Sequence, residues 1–576
     1  MDATQTTDPV FVMMRRRLLC VLLLCLSETQ MDMALFAQSL VVSPSPQTPH
    51  WNHINVSDFG RALKYQGDAS VRSTAYNWFG QHVDLAEVYG NAVDLRAPNP
   101  GMRLFIYQLD LSIFANEDSA NLPEEYFLHF SENTEIRFRA LNGSEVSTMT
   151  INGCPASEPV RRDCRVQSYL WTSRRYVYNL KSVAFQDWKA TQLVQSTGRT
   201  INGVFLDEHG PGFIRPLSWG SQTVILSGGA IRELGGLRPG AARDALDQDY
   251  NTAMVAWLTY LQTRFHQAGK FIVLNPATYM LDPMVLDQIK ALQGVSTEFM
   301  HRPDSWAGTY QYEEFIDVVK QVSSNGGTVD LAGTWCYTGP SGYTGGNYGS
   351  AQARYRMWRL ASYYILKEPA GSSGIVYFDP SFCSNASVRP LEDASEWLLA
   401  YQVDVGQPVG QSVVYHEGSA GRSSSNAPCT FKVFGRTYTN ALVLVRPKDS
   451  WNCTDYGDGS ATTVTLPHPG YLLREDGTLS GPTNTVSIRN AEAVIIYGIA
   501  TSALSNPTPS TPNTDSTLTQ DLIISPPANT VISSPAPSPS ISSVSPPNSP
   551  SSEKSSTEKP SHGLLGKLKA LMQRVR

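Results

Sequence analysis

No run of apolar side chains in this 576-residue chain is long enough to cross a bilayer. The longest, Leu18 to Leu26, has nine residues, against the about 20 that a spanning helix needs. Basic charge is scarce as well: 45 Lys and Arg stand against 51 Asp and Glu, a formal net charge of −6. That balance excludes the broad cationic face of a nucleic-acid binder. The 10 His and 8 Cys show no C-x-x-C or H-x-H spacing, so neither a metal nor another cofactor is expected. There is no G-x-S-x-G turn, which removes the common serine-hydrolase elbow. Charged residues of all kinds are only 17% of the chain. Aromatics, in contrast, reach 10%, with 26 Tyr and 11 Trp. A neutral, ring-rich surface suits an uncharged polymer held by stacking and hydrogen bonds.

The amino terminus reads as an export signal. Arg15, Arg16 and Arg17 precede the apolar run, and small residues follow as far as Ala37, the order of a secretory leader. Residues 1–37 are therefore expected to be a signal peptide, and the protein to be secreted or attached to the cell envelope. Six cysteines follow that segment: Cys154, Cys164, Cys336, Cys383, Cys429 and Cys453. An even number in an exported chain points to disulfides, with fifteen pairings formally open. Pairing of nearest neighbours would keep each bridge within one region.

From Gly101 to Pro380 short apolar runs alternate with longer amphipathic ones, the pattern of repeated βα units. The runs are Arg103–Tyr107, Tyr126–Phe130, Val166–Trp171, Gly203–Asp207, Phe271–Asn275, Val295–Glu298, Val329–Ala332 and Gly374–Asp379. Thr148–Ile151 reads as part of an inserted hairpin. Helical spacing is clear at Met254, Trp257, Leu258, Leu261 and Phe265, closed by Gly269. It recurs at Met284, Val285, Ile289 and Leu292, and again at Tyr312, Phe315, Ile316, Val319 and Val322. Eight strands with intervening helices predict an α/β fold, a (β/α)8 TIM-type barrel over residues 101–405 preceded by an extension over 38–100. Residues 406–500 change character. Ser412–Tyr415, Thr430–Phe434, Ala441–Val445, Thr462–Leu466 and Ala493–Tyr497 are strand-like, with turn residues and no helical period between them. A small antiparallel β-sandwich is expected there. Residues 501–560 are dominated by Ser, Pro, Thr and Asn, too poor in apolar side chains to fold, and read as a disordered linker. Residues 561–576 form a basic amphipathic segment that, if helical, could touch a membrane or other anionic surface.

The chemistry is expected at the carboxyl ends of the strands, where α/β barrels keep their sites. Asp207 and Glu298 each end a buried apolar run, and two carboxylates delivered to one cleft are what glycosidic cleavage needs. Neighbouring strand residues face opposite ways, so Asp207 is assigned to the axis and Glu208 to the rim. Asp110, Asn275 and Asp379 end other strands and are candidates for holding sugar hydroxyls. Trp219, Trp335 and Tyr337 lie on long loops, where flat rings can stack on pyranose faces. A Cys336–Cys383 bridge would hold Trp335 in place.

Several segments resemble a family of secreted barrels described as hypothetical glycosyl hydrolases. They are YVYNLKSVAFQDW, INGVFLDEHG, KFIVLNPA, GVSTEFM and, beyond the barrel, FGRTYTNALVLVRP. The resemblance spans roughly Gly101 to Gly498. It departs from the usual pattern at Asn202, where an Asp normally precedes the Gly. It implies a barrel glycosidase with a carboxy-terminal β-domain, acids at Asp207 and Glu298, and no metal. The expected function is an exported, monomeric O-glycoside hydrolase acting on a polysaccharide or oligosaccharide, with either acid free to be the proton donor. The alternative is a non-catalytic carbohydrate-binding or adhesion protein on a degenerate barrel, since fold alone does not fix function.

Overall fold

The computed structural model describes residues 54–498 apart from 59–79, 90–92, 97–98, 141–144, 155–160, 171–172, 213–221, 228–229, 235–240, 277–278, 293, 298–308, 333–350, 369–371, 381–397, 423–425, 427 and 448–460. The expected signal peptide, Ser/Pro-rich linker and terminal helix lie outside the described residues, as do Glu298, Trp219, Trp335, Tyr337, Cys336, Cys383 and Cys453. Cys429 lies in a described strand, but its side chain is outside the description.

Eight parallel strands form one sheet: β1 (Ser57–Asp58), β2 (Leu85–Val88), β3 (Arg103–Gln108), β4 (Gly203–Leu206), β5 (Phe271–Leu274), β6 (Gly294–Ser296), β7 (Thr328–Leu331) and β8 (Ile375–Phe378). They follow one another in space in chain order. A parallel bridge between Val56 and Phe378 brings the two edges together. The result is a nearly closed α/β barrel, as the alternation of apolar runs predicts. Two strand assignments need correction. Tyr126–Phe130 and Val166–Trp171 are not barrel strands, and the first two staves come instead from Ser57–Asp58 and Leu85–Val88, ahead of Gly101. Strands of two and four residues carry too short a pattern to register. The chain after β3 builds inserted layers instead: Ser173–Val177 pairs with Ser112–Phe114 on one side and Gln167–Leu170 on the other, while Thr134–Ala140 pairs with Glu145–Ile151 and Gln222–Ser227.

Alternation along the strands separates two cores. Leu85, Phe105, Phe205, Val273 and Tyr377 meet in the lumen, flanked by Tyr107, Phe271 and Ile375. Their neighbours Ala86, Leu104, Val204, Ile272, Val329 and Val376 face outward into the larger core. That core is completed by helices α1 (Val183–Thr197), α2 (Ala241–Gln267), α3 (Pro283–Ala291), α4 (Thr309–Ser324) and α5 (Ala351–Leu366). Gly203 admits no larger residue, because an added Cβ would lie 2.1 Å from the Phe271 carbonyl oxygen and 2.9 Å from the Phe105 ring. Asn202, the departure noted above, keeps the role of an acceptor there: its Oδ1 receives the Leu104 amide at 2.9 Å and also the Arg96 guanidinium.

The carboxy-terminal strands β9 (Val413–Arg422), β10 (Pro428–Thr437), β11 (Ala441–Arg446), β12 (Thr462–Leu473), β13 (Leu479–Ile488) and β14 (Glu492–Tyr497) form one antiparallel sheet in the order β9-β10-β11-β14-β12-β13. Register shifts between Thr465 and Leu472 let the second half of β12 pair with β14 as well as β13. Phe431, Val433, Leu442, Leu444, Val464, Val486 and Ile496 make a core within it. The opposite residues Val443, Val445 and Ile495 join the core of the barrel. Arg436, 2% exposed, donates to the carbonyls of Tyr364 and Ile365 at 3.1 and 3.3 Å and to that of Lys367. These are the orphan acceptors at the end of α5, where a cation is favoured.

Candidate active site

β4 delivers Asp207. Phe205 faces the lumen, so two residues on, Asp207 does too. Its Oδ2 accepts from the Tyr107 hydroxyl at 2.6 Å and its Oδ1 from the Asn275 amide at 2.7 Å. The placement follows from register. Leu206 pairs with Leu274, which sets Asp207 level with Asn275, while Tyr107 pairs with Phe205. Burial, joined by the negative charges of Asp207, Glu208 and Glu87, pushes the Tyr107 hydroxyl well above its usual range. It therefore stays protonated and remains a donor. Tyr89, packed edge-on to Tyr107 with ring centroids 6.1 Å apart, is raised in the same way by burial and by Glu87 and Asp207.

The residues after Asp207 turn away from the cleft. Glu208 has φ 68°, is 6% exposed and is ion-paired with Arg175. This corrects its expected place on the rim. His209 is fully buried, its amide bonded to the Asn275 carbonyl at 3.2 Å. Its Nε2 lies 2.8 Å from Asp110 Oδ1, and Asp110 Oδ2 accepts from the Trp257 indole at 2.8 Å. Burial would raise the Asp110 carboxyl, but the His209 charge and the bonds from His209 and Trp257 outweigh it and hold it below its usual value. Asp110 is thus an internal anchor under α2, which corrects its expected sugar-facing role.

A second acidic group sits at the seam of the barrel. Asp379 is buried just past β8, with the parity of Ile375 and Tyr377. Asp330 on β7 accepts from the Ser57 hydroxyl at 2.7 Å. Burial first, then the charges of Asp379 and Asp58, push the Asp330 carboxyl up to about 7, against the opposing pull of Ser57 and Arg359. Sequence reading passed over Glu87, Tyr89, Tyr107 and Asp330. For Asp330 a signal existed: an acid inside the apolar run Val329–Ala332. Glu87 lies on a strand too short to be recognised, and Tyr89 directly follows it.

Away from the cleft, Cys154 and Cys164 are joined, with Cα atoms 5.7 Å apart, inside the usual range of a disulfide. Among the described residues no helix is long and apolar enough to cross a membrane.

No family model matches the sequence and no curated protein aligns with it. Among solved structures the chain is similar to an α-amylase from Lactobacillus plantarum, at 9% identity over 78% of this chain and 99% of that one, TM-score 0.37. It is also similar to a xylosidase from Aspergillus niger, at 12% identity over 77% and 63%, TM-score 0.36. A third likeness is to a cycloisomaltooligosaccharide glucanotransferase from Paenibacillus sp., at 10% identity over 79% of this chain, TM-score 0.31. This chain spans just over half, 56%, of that glucanotransferase. Likenesses this distant carry no reaction across. What the barrel can do rests on its own side chains.

Proposed function

We propose that the barrel is a glycoside hydrolase acting on a polysaccharide, with Asp207 and Glu298 as its two working carboxylates. The observation that carries this reading is Asp207 itself: an inward-facing acid at the carboxyl end of β4, with a neutral donor on each oxygen. Such an arrangement orients both lone-pair edges and sets the group up to accept, which suits a nucleophile or general base. Glu298, two residues after β6 in the chain, is then proposed as the proton donor to the leaving oxygen. Carboxyl separations of about 5–5.5 Å would give retention and about 6.5–9.5 Å inversion. Asn275, which holds Asp207, is proposed to bind a sugar hydroxyl as well. Trp219, Trp335 and Tyr337 are proposed as stacking platforms and Asp379 as a hydroxyl acceptor. Export by the amino-terminal segment would place the enzyme with extracellular glycans.

The test is reducing-end release from starch, xylan, galactan and chitosan by the purified protein, beside Asp207→Asn and Glu298→Gln. Release by the wild type, lost in both variants while glycan binding persists, is the expected result. Binding without turnover in all three proteins would show a carbohydrate-binding module instead.

A further inference from the structure

Asp207 is followed at once by a residue in a conformation that side chains avoid. Glu208, at φ 68°, occupies the left-handed region, and a non-glycine residue persists there only where its surroundings over-determine it. Two anchors do so. On one side, Arg175 pairs with the Glu208 carboxylate. On the other, His209 is tied to the Asn275 backbone and to Asp110. Consecutive residues share their backbone, so the twist at Glu208 helps set the direction in which the Asp207 side chain leaves the strand.

Arg175 does not come from the barrel. It lies on the inserted strand Ser173–Val177, 4% exposed, with its guanidinium carbon 4.6 Å over the Phe114 ring. Phe114 is its register partner on the next inserted strand. The cation is therefore fixed before it meets Glu208. A buried ion pair is a weak source of stability, because desolvation of both charges offsets their attraction. Its fixed geometry is better matched to holding a strained turn.

We propose that Arg175 is a positioning residue: by pairing with Glu208 it maintains the left-handed turn that aims the Asp207 carboxylate at Tyr107 and Asn275. The antiparallel layer inserted between β3 and β4 is then part of the active site. This inference rests on the hydrolase reading of Asp207.

The test uses the full chain and the same glycan panel, with four variants: Arg175→Lys, Arg175→Leu, the double variant Arg175→Leu with Glu208→Gly, and Asp207→Asn. The double variant removes both buried charges and the backbone strain, so its melting midpoint should match or exceed that of the wild type. Arg175→Leu alone should lower kcat about a hundredfold with KM within about twofold, as expected when a reacting group is misaimed by about an ångström. Adding Glu208→Gly should restore most of that turnover, because glycine holds φ 68° without an anchor. Arg175→Lys should retain more turnover than Arg175→Leu. A folded Arg175→Leu with wild-type kcat, or a folded double variant as slow as Arg175→Leu, would overturn the proposal, leaving the hydrolase reading intact if Asp207→Asn is inactive. No release by the wild type from any of the four glycans would overturn both.

Discussion

The Tyr107 hydroxyl donates to Asp207 at 2.6 Å from the neighbouring strand, where Tyr107 is the register partner of Phe205, two residues before that acid. A phenol kept protonated by burial and by surrounding carboxylates can hold a charged acceptor without competing for its proton.

Tyr107→Phe removes that donor and keeps the ring. A hydrogen bond to a charged group contributes about 1.5–3 kcal/mol, so kcat/KM should fall roughly 10–100-fold. Initial-rate measurements with the glycan hydrolysed by the wild type check this. Unchanged kcat/KM would remove Tyr107 from the catalytic machinery.

Asp330 makes stability depend on pH in the direction opposite to most paired acids. Its folded pKa, about 7, lies above the ordinary aspartate value of 3.8. The native state therefore binds the proton more tightly, and stability declines as pH rises between those values. Asp330→Asn removes the penalty and can still accept from Ser57. At pH 8 it should be more stable than the wild type, with a ceiling of roughly 4 kcal/mol at about 1.4 kcal/mol per pKa unit. Near pH 3, where both states carry the proton, the gain should vanish. Urea unfolding at the two pH values measures the difference; an equal effect at both would mean that the carboxyl titrates normally.

Arg436→Ala should loosen the carboxy-terminal sheet from α5. The guanidinium is buried and serves the carbonyls of Tyr364, Ile365 and Lys367, so its loss strands acceptors at a helix end. A destabilisation of about 3 kcal/mol is expected, read by denaturant midpoint. Hydrogen exchange should show the last turn of α5 opening first. A loss below about 0.5 kcal/mol would mean that solvent replaces the cap at little cost.

The chain by itself determined the barrel's later half. Gly203–Leu206, Phe271–Leu274 and Ile375–Phe378 are apolar runs long enough to mark buried strands, and the 3–4-residue periods at Met254–Phe265 and Tyr312–Val322 mark the helices between them. It also marked Asp207, because an acid closing such a run has few places to go. Only the tertiary structure decided which apolar runs share a sheet. Periodicity reports that a segment is buried and says nothing of its partner, so Val166–Leu170, strand-like in sequence, belongs to the insertion and the polar Ser57–Asp58 to the barrel. The same distinction governs the site. Glu208 and Arg175 are 33 residues apart in the chain, and Asp110 and Trp257 are 147 apart. Whether an acid is a rim ligand or an internal anchor depends on which distant side chain the fold brings to it.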